Sequence, residues 1–186
     1  MAAGATKRAH NPGGKVRRVL KSGIRGTAIF GGARQEYRYR LSRTWDATKP
    51  YALFVLMNPS TADPLSDDPT VARCCTFAKR WGYGGIFVAN TFAYRATDQG
   101  RLMEIADPVG PDNDAHILAM ARKAAIVIFA YGRPRCKALR LRGPEVARLV
   151  LSQASVRPHV LRLSKDGTPC HPLYLPQDLR PILWTP

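Results

Sequence analysis

Residues 51–75 read YALFVLMNPSTADPLSDDPTVARCC, and the fold class follows from where this stretch breaks. Its first seven residues are continuously apolar, the pattern of a short strand covered on both faces. The run stops at Asn58-Pro59-Ser60, and Asp63, Asp67 and Asp68 then crowd into a loop of an otherwise basic chain. Asp68 followed by Pro69 is a helix start, because a short acceptor side chain satisfies an orphan N–H and proline has none to satisfy. Val71, Cys74, Cys75, Ala78 and Trp81 then recur at helical spacing until Gly82. A buried strand, a polar loop and a helix make half of a βαβ unit, so a largely parallel sheet is expected.

The same alternation continues downstream. GIFVANTFAY (85–94), AAIVIFAYG (124–132) and HVLRL (159–163) read as strands, and residues 113–123 and GPEVARLVLSQA (143–154) as helices. Upstream, TAIFGG (27–32) and EYRYRLSR (36–43) flank a glycine-bearing turn. Tyr37, Tyr39 and Leu41 alternate there with Arg38 and Arg40, which predicts a hairpin with one wet, cationic face. GTPCHPLYLPQDLRPILW (167–184) carries too much proline for regular structure. The expected fold is α/β: a three-layer α/β/α sandwich with a mostly parallel central sheet, preceded by a β-hairpin. It forms one domain over 26–186, after a flexible basic arm over 1–25 that holds seven Lys or Arg and no acid.

At 186 residues the chain can bury one core, and no apolar run approaches the roughly 20 residues of a membrane span. No apolar segment follows the first charges as in an export signal, so a cytoplasmic location is expected. Cys74, Cys75, Cys136 and Cys170 lack C-x-x-C spacing, which favours buried free thiols over a zinc cage. Net charge is +16, from 29 Lys and Arg against 13 Asp and Glu. Such a field attracts polyanions, and the expected partner is nucleic acid or a nucleotide. GRPRCKALRLR (132–142) concentrates arginines suited to phosphate.

Ligands of open α/β sheets gather at the carboxyl ends of the strands. Here those ends carry Asn58-Pro59-Ser60, then Asn90-Thr91 running out through Tyr94, Arg95, Thr97 and Asp98, then Tyr131-Gly132-Arg133, and last DGTPCHPLYLP (166–176). Four polar corners could rim one pocket.

Two resemblances rest on these residues. Through LMNPSTAD, DDPT, WGYGG, N-x-FAYRATD and HPLYLP, over roughly residues 27–184, the chain resembles a DUF1643-like family of small bacterial and phage proteins, which brings no activity with it. More distantly, it is similar to the uracil-DNA glycosylase superfamily. Asn58-Pro59 matches the first-strand loop, Asn90 the asparagine that reads a pyrimidine edge, Tyr131-Gly132 a Trp-Gly position and His171-Pro172 the late loop. Met57, the leucine after His171-Pro172, and AYRATD (93–98) depart from that pattern.

The resemblance implies a nucleic-acid base-processing protein, a DNA base glycosylase-like hydrolase that acts on DNA ahead of RNA and needs no cofactor. Its catalytic residues would be Asn58, Asp63 and His171: Asn58 positions water, Asp63 helps as the general base because Asp68 caps a helix, and His171 stabilises the departing base. Asn90, Tyr94 and Tyr131 would bind the base, and Ser60, Arg95, Arg133 and Arg135 the phosphates. Two alternatives stay open: a nucleotide- or modified-base-processing enzyme with Mg²⁺ on Asp63 and Asp67, and a non-catalytic nucleobase- or DNA-binding module. No membrane contact is expected, and the sequence names no protein partner.

Overall fold

The computed structural model describes residues 18–186. In chain order the strands and helices are β1 (Arg18–Val19), β2 (Arg25–Gly31), β3 (Tyr37–Thr44), β4 (Tyr51–Leu56), β5 (Ser66–Asp67), α1 (Pro69–Arg80), β6 (Gly85–Asn90), α2 (Asn113–Ala121), β7 (Ile126–Phe129), α3 (Arg142–Gln153), β8 (Pro158–Val160) and β9 (Ile182–Leu183). Seven strands form one mixed sheet in the order β2-β3-β6-β4-β7-β8-β9. The three central ladders, β6-β4, β4-β7 and β7-β8, are parallel, and the flanking ones are antiparallel.

The period-two geometry of a strand splits β4 between two cores. Ala52, Phe54 and Leu56 join Val71, Cys74, Phe77 and Ala78 of α1 in one cluster. Leu53 and Val55 join Ile117 and Met120 of α2 and Val146 and Val150 of α3 in the other. This explains the unbroken apolar run: β4 has no wet face.

Chain path then decides where a crevice opens. From β4 the chain crosses to β6 through α1, returns past β4 to β7 through α2, and continues to β8 through α3. The direction of winding reverses at β4, and loops leaving its carboxyl end diverge from those of its neighbours. The registers Leu56↔Asn90, Val55↔Phe129 and Phe129↔Val160 bring these four carboxyl ends to one edge of the sheet.

The hairpin expected ahead of the parallel strands forms as β2–β3, and it also extends the sheet, because Leu41–Thr44 of β3 pairs with β6. Two expectations are corrected. Part of the stretch expected as an arm over 1–25 is paired: Arg18 and Val19 pair with Asp67 and Ser66, and Arg25 belongs to β2. The rest of that arm, 1–17, lies outside the described residues. The proline-rich tail forms a 3-10 turn at Pro172–Tyr174 and the edge strand β9, whose backbone pairs with β8.

The cationic face of β3 is also not wet. Arg38 and Arg43 are 2% and 0% exposed, and Arg40 donates from Nε to His116 Nδ1 at 2.6 Å. Arginine on an alternating strand reads as solvated, but here the polar partners lie inside.

Candidate functional site

A cleft of about 520 Å³ opens at the carboxyl ends of β4, β6 and β7 and is closed by the late loop. Asn58, Ser60, Asn90, Tyr131, Arg133, Arg135 and His171 line it, so seven of the ten expected site residues converge. Arg38, Asp68 and Tyr174 line it as well.

The β4 corner is held by amide chemistry. Asn58 Nδ2 donates to the Pro59 and Ala96 carbonyls, and the Ala96 N–H returns a bond to Pro59 O at 2.9 Å. With its nitrogen engaged, Asn58 has its oxygen left as an acceptor. Ser60 Oγ lies 3.1 Å from Thr97 Oγ1, tying NPS to AYRATD.

Asn90 closes β6 and is 1% exposed. Its backbone carbonyl and that of Thr91 accept from Asn113 Nδ2 at the start of α2, and the Thr91 hydroxyl donates to Met57 O. The ends of β4 and β6 are thereby stitched together. Asn90 Oδ1 accepts from Arg38 Nη2 at 3.1 Å, while Nδ2 has no partner among the described residues.

His171 enters from the late loop, which Arg73 of α1 holds through a hydrogen bond to the Leu175 carbonyl. Gly132, at φ +70°, makes room for it: a Cβ there would lie 3.0 Å from the His171 Cβ. Burial pushes the imidazole pKa below its ordinary value, with the Asp68 charge opposing, so the ring is neutral at pH 7. Its Nδ1 accepts from the Leu173 N–H, a weak bond at 3.4 Å, which puts the proton on Nε2.

Asp68 is the one carboxylate lining the cleft among the described residues. Its Oδ1 accepts from the Val71 N–H at 2.8 Å and caps α1. A residue assigned only to capping therefore also stands in the site. Arg38, expected on a wet face, is buried in the site instead, and its partners, the Ala62 carbonyl and Asn90, come from distant segments that no local pattern shows.

Three expected residues lie elsewhere. Asp63 Oδ1 accepts from the Leu65 N–H, the Ser66 N–H and the Ser66 hydroxyl at 2.8–2.9 Å, closing its own turn outside the cleft. Tyr94 stacks edge-on against Tyr37, and Arg95 lies over the Phe30 ring and donates to Gln35 O. Neither lines the cleft, because the chain after Asn90 turns back toward β3 through the Tyr37–Tyr94 bridge. Tyr131 does line it, but its ring is buried against Phe129 and Trp184. Burial raises its hydroxyl pKa.

Arg133 pairs with Asp166 at 3.1 Å and stays half-exposed at the rim. The residues proposed for Mg²⁺ do not fit that ion: Asp67 pairs with Arg43 at 2.8 Å, and Asp63 is held within its turn. Among the described residues no three His, Cys, Asp or Glu side chains group as metal ligands would. All four cysteines are free, and burial pushes the Cys75 thiol up to about 12. No helix among the described residues is long and apolar enough to cross a membrane.

A family model described as protein of unknown function (DUF1643) matches residues 38–173. The chain belongs to the DUF1643 family. The DUF1643 span opens at Arg38 and runs through His171, so it contains the cleft floor and leaves out β2 and β9. No curated protein and no solved structure matches the chain.

Proposed function

We propose that this DUF1643 protein is a nucleic-acid base-processing hydrolase that breaks an N-glycosidic bond, in DNA ahead of RNA, with the strand-end cleft as its base pocket. One observation carries the reading: Asn58, Asn90 and His171 leave three separate segments of the chain and line one cleft together with Asp68. The fold that accompanies it is a three-layer α/β/α sandwich of the uracil-DNA-glycosylase type. The division of the helices between two cores supports it.

The chemistry divides among few groups. As the C1′–N bond breaks, its electron pair leaves on the base, and the His171 Nε2–H donates a hydrogen bond to the base oxygen where charge develops. Asp68 lies where its carboxylate can offset the positive sugar and take the proton of the attacking water, which ends on the departed base. Asn58 Oδ1 accepts from that water. Asn90 contacts the base edge, and Tyr174, 84% exposed at the rim, offers a ring for stacking. Arg133 and Arg135 at the rim and a net charge of +16 favour the polyanionic backbone.

The test uses single- and double-stranded oligonucleotides carrying uracil, mismatched, oxidised or hypermodified bases, without metal and then with Mg²⁺, with mass spectrometry for released base. Release without metal, lost in His171→Ala, is expected. Salt-sensitive binding with no release in any condition would make the protein a binding module, and turnover of free nucleotides only with Mg²⁺ would make it a nucleotide enzyme.

A further inference from the structure

The cleft floor is unbalanced in hydrogen-bond donors. Arg38 Nε and Asn90 Nδ2 are both buried, both donors, and both without a partner among the described residues. The two side chains are also coupled. Arg38 Nη1 donates to the Ala62 carbonyl at 2.9 Å, which anchors the guanidinium, and Nη2 donates to Asn90 Oδ1 at 3.1 Å. The amide is thus oriented with its oxygen on the arginine and its NH₂ left over. An asparagine at liberty could present a donor and an acceptor to a base, whereas this one presents donors. The His171 Nε2–H adds another.

We propose that the floor takes an acceptor-only base edge, a carbonyl oxygen beside an unprotonated ring nitrogen, and that Arg38 is the residue that selects it. The inference rests on the base-recognition reading above. Cytosine offers such a pair at O2 and N3, and guanine at O6 and N7. Uracil and thymine place an N3–H between their carbonyls, and that hydrogen would face a wall of donors. An inorganic oxyanion shares the acceptor chemistry but fits less well, because the Asp68 carboxylate lines the same cleft and repels it. Leu56, Met57, Val71 and Leu173 add apolar lining that suits ring faces better than a hydrated anion.

The experiment is calorimetric titration of the full chain with cytidine, guanosine, uridine and inorganic phosphate, repeated on Asn90→Asp and Arg38→Met. Wild type is expected to bind cytidine or guanosine at least tenfold more tightly than uridine or phosphate. Asn90→Asp is nearly isosteric and keeps the Arg38 contact, so it should melt no lower than wild type and yet lose that preference. Arg38→Met should lose it too. Uridine or phosphate bound as tightly as cytidine and guanosine would overturn the inference, as would a preference that survives in a folded Asn90→Asp protein. Tight uridine binding would still leave base recognition standing. Failure of every nucleoside and of oligonucleotides to bind would overturn both.

Discussion

Arg38 and Arg43 stand five residues apart on β3, on strand positions of equal burial, yet their surroundings differ. Every guanidinium nitrogen of Arg43 donates: Nε to Asp67 at 2.8 Å, Nη1 to Ser42 O, and Nη2 to the carbonyls of Asp63 and Ser66. Arg38 makes two hydrogen bonds, to Ala62 O and Asn90 Oδ1, and its Nε has no partner among the described residues. A buried cation is tolerated when its donors are met and its charge is paired. Arg43 meets both conditions and clamps the loop that leads into α1. Arg38 meets neither in full, and burial pushes its pKa down to about 10 against the opposing pull of Asp68. The contrast separates a structural arginine from a site arginine on one strand.

The largest expected effect breaks the structural member. Arg43→Ala leaves the half-buried Asp67 without its cation, and should destabilise the fold by about 3–5 kcal/mol in denaturant titration. Arg38→Met breaks no direct ion pair but leaves the Asn90 oxygen and the Ala62 carbonyl unmet and takes a cation away from the buried Asp68, and should cost about 1–3 kcal/mol. Equal losses in the two variants would erase the distinction.

A second effect falls on chemistry and spares stability. His171→Ala removes the donor to the departing base and should lower the rate of base release by about 10²–10³, the scale of losing one oxyanion donor. Affinity for the same oligonucleotide, measured by anisotropy, should stay within a few-fold. A matching loss of affinity would assign His171 to binding instead.

Asp68 tests how one side chain serves two ends. Asp68→Ala removes the α1 cap and should cost about 0.5–2 kcal/mol. Asp68→Asn keeps a capping oxygen, so thermal unfolding should barely move, while base release falls with the lost carboxylate. If Asp68→Asn retains full turnover, the carboxylate is only a cap.

How much of this was legible in the sequence depends on the kind of signal. The central strands and α1 could be read because the β4 run and the Asp68-Pro69 start are local patterns, set by neighbours in the chain. The gathering of Asn58, Asn90, Tyr131 and His171 could be read because parallel strands deliver their carboxyl ends to one edge. Arg38, Arg43 and the displacement of Asp63 could not. Whether an arginine on an alternating strand faces water or a buried carbonyl depends on loops 24 residues away, such as Ala62 and Asp67. The placing of Arg95 and Tyr94 failed for the same reason: the chain beyond Asn90 bends back to pair with Tyr37, a contact between distant segments.

The smallest effect joins the floor to the late loop. Asp68 raises the pKa of both Arg38 and His171 against the dominant lowering by burial. Because the folded His171 lies below its unfolded value near 6.5, the unfolded chain takes up a proton first as pH falls. His171 therefore adds no pH dependence above about pH 6.5, and stability declines only as pH drops from there through the folded pKa. Protonation at Nδ1 breaks the bond from the Leu173 N–H that orients the ring, so base release should also fall along the acid limb set by the folded His171. Asp68→Asn removes the charge that holds the ring up, so the His171 pKa should fall further and the acid limb should move to lower pH. An NMR titration of the His171 ring checks this directly. A limb that moves to higher pH would mean that Asp68 does not act on His171 through its charge, and would sever the link between cap, floor and late loop.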